Sequence, residues 1–185
     1  MRKLSAQFIC LIMLVWSGVA IAQTTLVTCR LGKKQHETIS VIAGQSIADS
    51  RIISLKMSSE HRPQLIFGDE DNASRGSEVR AKCVGKEEKV LVLVGEFLGA
   101  GYPRGVAVRV NKGRLEKIEF AERGLPAFVD LMPSEMRLAF SRHGPEIAAQ
   151  FAIYTYVSGA GPMPEVKEAN RVPLPIDGVR IPVQP

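Results

Sequence analysis

The run Val90 to Val94, five β-branched and leucine side chains in a row, constrains this chain more than any other feature. It is apolar at both parities, so a strand built from it has to be covered on both faces. It heads a longer stretch from Lys89 to Phe120: KVLVLVGEF, a glycine-rich link, GVAVRV, NKGR and LEKIEF. The spacing predicts a three-strand antiparallel meander with Val90–Val94 as its buried centre. In the second strand Val106, Val108 and Val110 alternate with Ala107 and Arg109, which suits a strand with one buried face. Ile118 and Phe120 continue the pattern in the third, with Lys117 and Glu119 pointing the other way. Asn111-Lys112-Gly113-Arg114 supplies turn residues at hairpin distance, Asn and Gly both tolerating positive φ. A one-residue slip of the second strand would expose its three valines and turn Arg109 inward. Each buried valine is worth roughly 1.5–3 kcal/mol, so register is firmly set.

The first 22 residues are of another kind. Arg2 and Lys3 precede an apolar segment from Phe8 to Val19, and Ala20-Ile21-Ala22 is a small-x-small cleavage pattern before Gln23. This predicts a secretory leader; its apolar core is shorter than the ~18–20 residues that span a bilayer. Without Arg2 and Lys3, 22 basic residues face 19 acidic ones, a charge of +3 rather than +5. So mild an excess favours weak attraction to acidic surfaces and not nucleic-acid binding. Cys10 departs with the leader. Cys29 and Cys83 remain as an even pair in an oxidising compartment, and a disulfide between them is expected. A bridge closing that loop stabilises by about 4 kcal/mol in the chain-entropy account. No CxxC or Cys/His cluster supports a redox or metal role.

Elsewhere the signals are of short strands: Thr24–Leu31, Thr38–Ile42, Arg51–Met57, Gln64–Phe67 and Glu78–Val84 before the meander. Ser134–Arg142 reads as a helix capped by Ser134 and stopped at Gly144-Pro145, or as a strand with Met136, Leu138 and Phe140 on one face. The strand is favoured because nothing else in the chain is helical, which makes His143-Gly144-Pro145 a hairpin loop before a strand within Glu146–Val157. The expected fold is mainly β: an antiparallel sandwich or partly open barrel of short strands with a Pro/Gly-rich C-terminal arm. The organisation is a leader over 1–22, a β domain over 23–157 and an extended proline-rich arm over 158–185. Six of the eleven prolines lie in that arm, with Asp177-Gly178 placed to make a small hairpin.

Chemistry is thinly signalled. His36, His61 and His143 stand in or beside turns, none in a metal-ligand spacing, and no GxSxG is present. Asp69-Glu70-Asp71-Asn72 resembles the start of a calcium loop, but Ala73, Ser74 and Arg80 occupy its fifth, sixth and twelfth positions. Gly99 to Gly105 is rich in glycine, yet a strand follows it where a phosphate loop needs a helix. No cofactor or metal is expected. The loop does join two strands of the rigid centre and carries Tyr102 and Arg104, side chains common at binding hot spots. Arg109 and Lys117 are expected to line the polar face beside them. These features suggest an exported non-catalytic binding module: an inhibitor, an immunity-type protein or a ligand-binding protein of the bacterial envelope. Its partner would be another envelope protein or an acidic ligand, in the periplasm or outside the cell. The alternative is a structural component of an envelope complex, docking through the arm and an open sheet edge. A hydrolase would need a pocket joining His36 or His143 with Asp130 or Glu146.

Overall fold

A computed structural model describes residues 23–32, 36–68, 71–97, 102–144, 148–160 and 163–183. The leader expected over 1–22 lies outside them, as do Asp69, Glu70, the link 98–101 and Pro145-Glu146. The described chain is all β. Its strands are β1 (Thr24–Leu31), β2 (Glu37–Ile47), β3 (Ser50–Met57), β4 (Gln64–Leu65), β5 (Arg75–Val84), β6 (Val90–Phe97), β7 (Tyr102–Asn111), β8 (Arg114–Phe120), β9 (Phe128–Leu131), β10 (Glu135–Ser141), β11 (Phe151–Val157), β12 (Glu165–Ala169) and β13 (Val179–Pro182). The first sheet runs β1-β2-β3-β5-β6-β7-β8 with β4 on β3; the second runs β12-β11-β10-β9-β13. The ambiguous segment after Ser134 is thus a strand, paired with β9 and β11.

The apolar run becomes β6 and is covered on both faces. Val90, Val92 and Val94 join Val129, Met136 and Leu138 in a core between the two sheets. Leu91, Leu93 and Phe97 join Ile39, Val41 and Ile53 in a second core, where β1–β3 lie over the other face of β6 and β7. The first sheet turns this corner where β3 meets β5 through only two pairs, Arg51↔Gly76 and Ile52↔Arg75. A Cβ on Gly76 would come within 2.5 Å of the Phe97 ring, so glycine is what lets the aromatic close the corner. The disulfide Cys29–Cys83 ties β1 to β5, with Cα atoms 5.5 Å apart.

The meander pairs in the expected register, with Leu93 opposite Val106 and Ala107 opposite Ile118. Its second turn differs in detail. Lys112 and Gly113, at φ 50° and 76°, take the positive-φ positions of a two-residue turn. Asn111 stays in the strand and donates its side-chain amide to Glu116, Pro133 O and Ser158. Arg109 also departs from expectation. It is only 5% exposed, because the second sheet covers the face of β7 that looked solvated in sequence.

The proline-rich arm is built into that second sheet. β12 pairs with β11 at one edge, and β13 pairs with β9 at the other. Ile181 and Val183 enter the inter-sheet core. The partner of β13 is therefore β9 and not the 174–176 segment, although Asp177 does take a turn conformation at φ 52°. Residues 170–178 cross the outer face between the two edges. Arg180 and Arg137 both donate to Pro173 O, and Arg180 grips the fully buried Asp130 through two hydrogen bonds of 2.7 and 2.8 Å.

Candidate functional site

The residues singled out by sequence fall at two places and on two faces. Tyr102 opens β7 opposite Phe97. Arg104 and Lys117 share the face of β7–β8 that looks toward the second core, and they converge on one carboxylate. Arg104 Nη2 lies 2.7 Å from Glu119 Oε2, and Lys117 Nζ lies 2.9 Å from Glu119 Oε1. The Arg104 guanidinium also stacks 4.1 Å above the Phe67 ring, and Lys117 donates to Ile66 O. Burial works to raise the Glu119 pKa, but the bonds and charges of Lys117 and Arg104 outweigh it and hold it below the ordinary value. The cluster satisfies itself and pins the β4–β5 connection to the meander.

Arg109 lies on the opposite face of the same strand. It pairs with Glu116 at 2.6 Å and donates to Met132 O and Glu135 O, both at 2.9 Å. Ser158 Oγ donates to the other oxygen of Glu116. Here too burial pushes the carboxyl up, and the donors Ser158, Arg109 and Asn111 bring it down. This is a buried hydrogen-bonded joint between the sheets, so Arg109 and Lys117 do not line one surface.

A large concavity lies elsewhere, at the turn end of the meander. A cleft of about 1370 Å³ opens where the β5–β6 turn, the β7–β8 turn, the end of β9 and the strand β13 come together. Both cores supply its apolar lining: Leu31, Met57, Val110 and Leu115 from one, Leu131 and Ile181 from the other. Charged side chains of both signs stand among them, Lys86, Lys89 and Lys112 with Glu87, Glu88 and Asp177. Two further cations in the lining are Arg109, paired with Glu116, and Arg180, paired with Asp130. His36 and Glu37 border it as well. Glu37 accepts bonds from the Ser58 and Ser59 hydroxyls and the Ser59 N–H, which outweigh burial and lower its pKa. Asp130, one of the two acids that a histidine-based hydrolase would call on, is held by Arg180; the other, Glu146, lies outside the described residues.

Among the described residues no group of three or more His, Cys, Asp or Glu side chains is placed to hold a metal ion. What the cleft can do is bury apolar surface while pairing charge of either sign at its mouth. Sequence reasoning missed it because its lining comes from turns far apart in the chain. Gly32, Gly85, Gly113 and Gly178 all border it, and each reads singly as ordinary turn punctuation. No family model, curated protein or solved structure matches this chain.

Proposed function

We propose that this chain is an exported, non-catalytic binding module of the bacterial envelope and that its ligand enters the cleft at the turn end of the meander. The observation that carries the reading is the cleft itself, which joins the apolar floors of both cores under a rim of mixed charge. Large apolar concavities with a few polar groups at the margin are where ligands and partner segments bind. The Cys29–Cys83 bridge suits an oxidising compartment. Among the described residues no helix is long and apolar enough to cross a membrane.

Capture experiments with tagged residues 23–185 and an envelope extract test the reading. Val179→Trp narrows the cleft at a residue 43% exposed and away from both cores. A partner retained by the parent chain should be lost with Val179→Trp and kept with Arg104→Ala. Loss with Arg104→Ala alone would move the site to the Glu119 cluster at the other end, and equal capture by all three chains would remove the cleft as the site. Truncation of the arm cannot make this distinction, because it takes two strands from the second sheet.

A further inference from the structure

The cleft is bordered by three long runs of consecutive residues, and the run that includes β13 differs from 85–89 and 109–113, which centre on the β5–β6 and β7–β8 turns. Six consecutive residues, Asp177 to Pro182, border the cleft. A strand that turns one face to a cavity presents every second residue; a strand that borders it with consecutive residues presents its edge. Among the described residues β13 is the terminal strand of the second sheet, paired only with β9. The Val183 N–H donates to Ala127 O on the β9 side, so the alternation of a strand sends the Ile181 groups to β9 as well. The Arg180 N–H and the Arg180 and Pro182 carbonyls then point away from β9. Just beyond the strand, Lys82 Nζ donates to Val183 O at 2.7 Å.

We infer that the cleft takes an extended peptide segment of a protein partner, which pairs with the free edge of β13 as a sixth strand of the second sheet. The inference rests on the binding-module reading above and names its ligand class. Size favours a peptide: about 1370 Å³ exceeds the roughly 300–1,000 Å³ usual for small-molecule pockets. Charge does too, because Lys89, Lys112, Glu87 and Asp177 on the rim put both signs beside the cleft, which suits a chain carrying both signs better than an anionic or cationic amphiphile. In strand addition, main-chain hydrogen bonds give affinity and apolar pockets take alternate side chains; Val110, Leu115 and Leu131 provide those pockets. The other edge of this sheet is guarded. β12 carries Glu165, Lys167 and Glu168 and does not line this cleft.

The test uses ¹⁵N-labelled residues 23–185 and an array of seven-residue peptides with Val, Ile, Leu or Phe at alternate positions and Ser, Thr, Lys or Glu between. Strand addition requires that binding peptides slow exchange of the Arg180 amide by about tenfold or more. It also requires that N-methylation of the alternate peptide amides on one side weaken binding by about tenfold, while methylation on the other side does not. Binding with unchanged Arg180 exchange, or with no difference between the two methylated sets, overturns strand addition and leaves the binding module standing. So does a response of the Val110 and Met132 resonances to decanoate when no peptide binds. If neither probe binds and Val179→Trp leaves capture unchanged, both the peptide and the cleft fall together.

Discussion

Strands β7 and β8 carry two Arg–Glu pairs made of the same residue types, and the two behave as different objects. Arg109 and Glu116 sit directly opposite each other on the face toward the second sheet, with side chains 6% and 7% exposed. Arg104 and Glu119 lie on the opposite face, with side chains 30% and 31% exposed and Lys117 sharing the carboxylate. Water screens the second cluster far more than the first. A buried pair holds together at a large desolvation cost, and removing one partner leaves a charge with nowhere to go. A half-exposed pair loses little when broken. The contrast shows that a charge on a strand has no fixed energetic meaning until the layer over it is known.

Breaking each pair in turn tests that contrast. Glu116→Ala should cost about 3–5 kcal/mol in urea unfolding, because Arg109 remains buried between the sheets; a loss under about 1 kcal/mol would mean that water enters the joint. Acidification should act next. Glu116 and Glu119 have folded pKa values below the ordinary one, so their stabilisation is present above the unfolded value and is lost as pH falls through the folded values. The stability difference between the parent and Glu116→Ala should therefore shrink in acid, and a difference that stays constant down to low pH would contradict the assignment. Glu119→Ala should cost less, up to about 1 kcal/mol. The smallest effect is that of salt. Raising ionic strength toward 1 M should reduce the Glu119→Ala difference by a few tenths of a kcal/mol and leave that of Glu116→Ala unchanged.

Much of the fold was legible because strands announce themselves locally. Val90–Val94 demanded cover on both faces, the valines of β7 set its register, and with Cys10 assigned to the expected leader, Cys29 and Cys83 had one pairing open to them. Ser134–Arg142 was legible with more difficulty, since its alternation competes with a capped helix. The reading of Arg109 as solvated failed for a physical reason. Alternation tells which residues share a face, but a face counts as polar only until another layer arrives with a partner for its charge. Glu116 was visible in LEKIEF, and the register that puts it opposite Arg109 follows from the turn. The layer that buries both comes from β9, β10 and beyond, with Met132 and Glu135 23 and 26 positions past Arg109. The arm was harder still: its prolines and glycines speak for an extended chain, and an extended chain is also what a strand is.

By itself the amino-acid order determined the pleated character of the chain, its central meander and its disulfide, because periodicity, turn chemistry and cysteine count act over short stretches. Only the folded arrangement decided which of two arginines is buried, that the terminal arm completes a sheet, and that four distant turns enclose a cleft beside an unpaired edge. Those outcomes depend on how layers stack, and stacking is settled by the summed burial of surfaces that no short stretch of the chain contains.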